Sequence, residues 1–155
     1  MSIAPLLLAL ALALSADRPA RVANDVLTPE KLLAAIDSHS LKSDSVLLRF
    51  RVGSVGVQRV DDAATKTTSQ RIVFYTGAVN ANGHASLNVA LLPRAQAALR
   101  RLGITDFAKH FVGREIEVRG HLTSVLTMLY GSPTEYSYYV EVDSLNQFGS
   151  AKDVK

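Results

Sequence analysis

Cysteine is absent from the 155 residues. That excludes thiol nucleophiles, CxxC redox pairs, cysteine-ligated zinc and disulfides. It also excludes the acylated cysteine of a bacterial lipoprotein. Stability must come from one packed core, and a chain of this length buries roughly two thirds of its unfolded surface without a covalent staple. Catalytic signatures are missing too. No GxSxG elbow, Walker loop or GxGxxG fingerprint occurs, and His39, His84, His110 and His121 fall in no HExxH or H-x-H spacing. A metal site needs several converging ligands, so no cofactor or metal is expected. Internal repeats and low-complexity tracts are absent, and no motif identifies a reaction.

The composition is that of a globular domain, with a hydrophobic fraction of 48% and a charged fraction of 20%. Basic residues number 17 and acidic residues 14, a net charge of +3. This balance permits an anionic partner without requiring one. Arg outnumbers Lys, which favours forked contacts to phosphate or carboxylate.

Residues 1–16 carry no charged side chain, and residues 6–14 are an unbroken Leu/Ala run. A run this short cannot cross a hydrocarbon core, which takes about 20 residues. It has the length of a secretory h-region, followed by the small residues Ala13, Ser15 and Ala16. No Lys or Arg precedes it, unlike most signal peptides. The expectation is a signal peptide over 1–16, cleaved after Ala13 or Ala16, and a mature protein exported to the periplasm or medium. No second run of membrane length follows.

Residues 17–44 read as a linker and an N-terminal helix, with Thr28 as N-cap and Pro29 at the first helical position. Residues 45–57 read as one long strand: Leu48, Phe50 and Val52 face one side, Arg49 and Arg51 the other. Gly53 and Gly56 lie inside it, where glycine signals a bend; the GxxG form of 53–56 sits in a strand rather than between helices, where a nucleic-acid clamp belongs. The polar stretch 60–70 reads as a loop. Strands follow over 71–76 and 86–92, separated by the Asn82-Gly83 turn signal. Pro93 opens a helix stopped by Gly103, and Phe107 and Phe111 share a further helical turn. Residues 114–123 form strand four, 128–135 a loop, 136–145 strand five and 149–155 a tail.

This order predicts a mainly β fold with helices: a five-stranded OB-like Greek-key barrel over 45–148, with a helix between strands three and four, plus the N-terminal helix. The segment 111–122 resembles the fourth strand of bacterial OB-fold domains, where an F-x-G-K-x-I-x-V-x-G-x-V phrase follows the helix. Residues 139–148 resemble their last strand, with its x-Q-I or x-Q-F tail. Residues 99–111 are similar to the insert of exported OB domains of the tRNA-anticodon-like, nucleic-acid-binding type. The loop 126–136 is longer than the family's link. The resemblance implies a non-enzymatic binding module without a cofactor, for oligonucleotide, oligosaccharide or protein.

The candidate ligand face is that of strands two and three. It would present Arg71 and Tyr75, with Arg49 and Arg51 alongside and Tyr130 and Tyr136 in or beside the strand four–five loop. Aromatic stacking and phosphate attraction by Arg are what single-stranded nucleic acid needs, so single-stranded nucleic acid or another anionic ligand is the first expected partner. An envelope protein or glycan is the alternative. A weaker third option is a hydrolase using Glu115 or Glu117 with His121; the blander reading of those side chains is a solvated strand face.

Overall fold

The computed structural model describes residues 25–62, 65–129 and 132–149. The expected signal peptide, Tyr130 and the end of the tail lie outside them.

Where one side of a strand must enter the core, apolar alternation holds. In β2 (Ser45–Arg51), Val46, Leu48 and Phe50 are buried while Arg49 and Arg51 are exposed. β4 (Thr67–Val79) turns Ile72 and Phe74 inward, and β5 (Ala85–Leu91) turns Leu87, Val89 and Leu91 inward. β6 (Glu115–Leu129) supplies Ile116 and Val118, and β7 (Ser132–Val142) supplies Val140 and Val142. Two further strands are β1 (Val26–Leu27) and β3 (Ser54–Asp62).

The helices lie over the inner face. α1 (Pro29–Asp37) starts at Thr28, whose hydroxyl accepts from the Lys31 N–H at 3.4 Å, and it buries Leu32 and Leu33. α2 (Pro93–Arg101) buries Ala95 and Leu99 and ends at Gly103, which has a φ of +85°. α3 (Phe107–Phe111) is capped by Asp106, whose carboxylate accepts from the Lys109 N–H at 2.9 Å. Phe111 is fully buried at the centre, 4.8 Å from Phe74 and 6.3 Å from Phe148 between ring centroids. Among the described residues no helix is long and apolar enough to cross a membrane.

The sheet corrects the expected architecture. It is a seven-stranded mixed sheet with three short helices, the first of them the expected helix behind Thr28, not a five-stranded closed barrel. The order is β1-β2-β6-β7-β5-β4-β3, with β1 and β3 as its edges. β1/β2 and β5/β7 are parallel and the other pairs antiparallel. Three physical causes account for the difference. First, the run 45–57 is two strands. The Val52 N–H donates to Arg114 O, on the β6 side, whereas the Gly53 N–H donates to Tyr75 O, on the β4 side, both at 2.9 Å. The chain thereby passes from the second place in the sheet to the last. Second, the polar stretch 60–70 is largely a hairpin arm: Val60 pairs with Ser69 and Asp62 with Thr67. Its β4 half is exposed on both sides, so no alternation marks it. Third, β6 and β7 run on through most of the expected loop 128–135. β1 adds a two-residue parallel pairing before α1.

The x-Q-F tail has a structural role. A 3₁₀ turn over Leu145–Gln147 lets the Gln147 side-chain oxygen accept from the Asp143 and Ser144 N–H groups, at 2.7 and 2.8 Å. Its amide donates to Arg119 O at 2.9 Å. Phe148 then pairs with Val118 and packs on Phe111.

Candidate ligand groove on the outer face

The sheet's outer face carries its own small buried cluster of Val73, Ala90 and Tyr139. Polar side chains cover it. The Arg71 Nε donates to Gln58 Oε1 at 2.8 Å, and Gln58 Nε2 donates to the Tyr139 hydroxyl at 3.3 Å. The Arg71 guanidinium lies 4.2 Å from the Tyr139 ring centroid and 3.6 Å from the Glu141 carboxylate. Its side chain is only 11% exposed. Arg71 therefore does lie beside the Tyr75 strand face, but its fork is committed to Gln58, Glu141 and the Tyr139 ring.

The other expected site residues scatter. Arg49 is bound to Glu117 across the β2/β6 ladder, with Nη2 and Nε donating to one carboxylate oxygen at 2.8 and 3.2 Å. β2 and β4 are four strand spacings apart in the sheet order, about 19 Å measured along the sheet. Arg51 is exposed at the end of β2 and reaches the Tyr75 region only through the Val52–Gly53 bend. Tyr136 lies on the opposite face from Tyr75, stacked on Tyr138 with centroids 6.3 Å apart. Burial first, then the charge of Asp37 and Tyr136, holds the Tyr138 hydroxyl above its usual pKa, so it stays protonated at neutral pH.

One concavity does form beside Tyr75. It has a volume of about 290 Å³ and is lined by Tyr75, Asn88 and Tyr139, by Ser86, Ser137 and Glu135, and by the Gly77–Val79 segment. Tyr75, Asn88 and Tyr139 are register partners across β4, β5 and β7, so they form one row. Tyr75 is 39% exposed. It lies over Gly56 of β3, where an added Cβ would come within 2.8 Å of the ring. Gly56 is thus a seat for the ring, a role that the strand-bend expectation missed. A register shift between Tyr75 and Val79 accompanies the left-handed Gly77, with a φ of +78°, at the groove wall.

Asn88 is the feature that sequence reasoning passed over. Arg71, Asn88 and Gln96 are the buried polar residues among those described. Arg71 is partnered as above, and Gln96 donates to Leu91 O at 2.7 Å. Asn88 is 6% exposed, and its side chain makes no hydrogen bond among the described residues. Among the described residues, no buried side-chain polar atom sealed from water lacks a partner. The Asn88 amide must therefore open onto the groove it lines. Its alternation with Leu87 and Val89 signals an outward side chain, but nothing in a single strand's pattern says that neighbours will bury it.

Glu115, Glu117 and His121 do not converge. Glu117 is held by Arg49, and His121 lies four residues further along β6, about 13 Å at the rise of a strand. Elsewhere, a cavity of about 480 Å³ is lined by the Gly103–Asp106 loop with Lys109, His110 and Arg114. Arg114 Nη1 and His110 Nε2 stand 3.4 Å apart there. No protein-family model matches the chain, and no curated protein matches it in sequence.

Proposed function

We propose that the chain is a non-enzymatic binding module whose outer-face groove takes an uncharged, ring-bearing ligand, as a glycan-interaction domain would. The observation that carries this reading is the unpartnered, nearly buried Asn88 amide beside the exposed Tyr75 ring. That amide is open to the groove, so a ligand presenting a donor and an acceptor exchanges water there for direct hydrogen bonds, each of modest net worth. No Lys or Arg lines the groove, and Glu135 adds negative charge to it, which disfavours a polyanion. Export, as expected from residues 1–16, would bring such a module to extracellular or envelope glycans. N-terminal sequencing of the protein recovered outside the cytoplasm should then begin after Ala13 or Ala16; an intact Met1 there would reject the export reading.

Single-stranded nucleic acid is the second reading, and the cavity beside Lys109, His110 and Arg114 favours it. Salt separates the two. A strand held by about three phosphate contacts loses roughly 20-fold in affinity over a fourfold rise in salt. A neutral ligand should change by less than about twofold, because it displaces few counterions. The chain has five Tyr and no Trp, so intrinsic tyrosine fluorescence reports on the groove without tryptophan background. For a neutral glycan, Tyr75→Ala should weaken binding about tenfold, the equivalent of roughly 1.4 kcal/mol. Unchanged binding in Tyr75→Ala would remove the groove from the account.

A further inference from the structure

We propose that Asn88 is the specificity-determining residue of this groove and that the ligand class it selects is a single neutral pyranose unit presenting two adjacent hydroxyls. The inference rests on the binding-module reading above and goes beyond it by naming the recognised group. A carboxamide offers donors and an acceptor side by side. Two neighbouring hydroxyls on a sugar ring can answer both at once. The surroundings complete that match. The exposed Tyr75 ring supplies one apolar face, on which the C–H side of a pyranose can lie. Ser86, Ser137 and Glu135 supply further hydroxyl and carboxylate partners around it.

Two observations argue against a nucleobase in the same place. A base clamped between rings needs two free aromatic faces, but Tyr139 is 5% exposed and one face of its ring is occupied by Arg71. The phosphate attached to a base would also find no cation on the groove wall. Size agrees with one ring. At about 290 Å³, the groove sits at the bottom of the range of roughly 300–1,000 Å³ for small-molecule pockets.

Among the described residues the Asn88 side chain has no hydrogen-bond partner, so replacing it leaves none of those groups unpaired. The test uses the full chain, tyrosine fluorescence and four probes: methyl β-D-glucopyranoside, methyl β-D-galactopyranoside, methyl α-D-mannopyranoside, and tetrahydropyran-2-methanol, which keeps the ring but lacks adjacent hydroxyls. Uridine serves as the planar competitor. At least one hexoside should bind with a Kd below about 50 mM, an affinity in the range of a few contacts, and tetrahydropyran-2-methanol should not. Asn88→Leu should lose at least tenfold for that hexoside while its melting temperature stays within about 3 °C of the parent, a shift of less than 1 kcal/mol. A merely structural Asn88 would instead lower the melting temperature.

If Tyr75→Ala loses hexoside binding but Asn88→Leu keeps both affinity and the ranking of the three hexosides, the Asn88 inference falls and the binding-module reading stands. If uridine binds through Asn88 and no hexoside does, the ligand class is wrong while the groove remains. If neither substitution alters the binding of any probe, both readings fail together. The absence of binding by all three hexosides at about 50 mM also overturns the inference.

Discussion

Phe111→Ala is expected to lower the unfolding free energy by about 4 kcal/mol, in the range measured for truncating buried aromatic rings. Phe111 is fully buried and touches three aromatic neighbours: Phe74 at 4.8 Å, His110 at 4.7 Å and Phe148 at 6.3 Å between centroids. It ends α3, only five residues long, too short to hold its place by helix propensity. The ring is therefore what ties α3 to the sheet. Removing it opens a cavity that a short helix against a rigid sheet can only partly close, so the transfer and cavity terms add. For a domain of this size the melting temperature should fall by about 12–16 °C. Val112→Ala, one residue on at a position 46% exposed, should stay within about 0.5 kcal/mol. Comparable losses in the two variants, read by thermal melts followed by circular dichroism, would show that Phe111 is not a keystone of the core.

What was legible in the sequence follows the same physics. Strands with one face in the core announced themselves, because burial forces the period of two that Ile72, Phe74, Leu87, Val89, Ile116 and Val118 display. An arm wet on both faces, such as 67–70, carries no such constraint, so 60–70 read as a loop although 60–62 pair with 67–69; 128–135 read as a loop although Met128 pairs with Pro133 and Leu129 with Ser132. The break at Val52–Gly53 did leave a trace. Inward positions are even up to Val52, and the next residue packed on the core is the odd-numbered Val55, which stands opposite Phe74. That one-residue slip of phase is what a change of pairing partner requires, and reading 45–57 as one strand overlooked it.

The makeup of the candidate face was legible in part. Arg71 and Tyr75 were placed on the outer side by alternation, but whether a cation is free depends on what stands on the next strands. Glu117 opposite Arg49, and Glu141 beside Arg71, are 68 and 70 residues away in sequence. Tyr136 lies off that face for a related reason: the β6/β7 register places it with Tyr138 rather than with Tyr139.

Gly120→Ala is the substitution expected to damage fold and groove together. A Cβ at Gly120 would stand 2.6 Å from Val140 Cγ1 and closer still to the Glu141 carbonyl oxygen. The second collision is with backbone, inside a ladder that pairs His121 with Glu141 and Leu122 with Val140, so no rotamer change relieves it. The same carbonyl region is pinned from the other side by Gln147, whose amide donates to Arg119 O at 2.9 Å and to Glu141 O at 3.5 Å. Overpacking of a tight site costs about 1–3 kcal/mol, and a backbone collision belongs at the upper end, about 3 kcal/mol. To accommodate the methyl group, β6 and β7 must separate. Glu141 then draws away from Arg71, and Tyr139, two residues earlier on β7, shifts against Asn88. Hexoside affinity should therefore fall several-fold in Gly120→Ala even at temperatures where the variant is fully folded. Phe111→Ala, whose ring lies on the inner face, should bind normally when folded. Thermal melts and tyrosine-fluorescence titrations of both variants, run well below their midpoints, separate the two effects. Parent-like affinity in folded Gly120→Ala would show that the groove does not depend on the β6–β7 spacing.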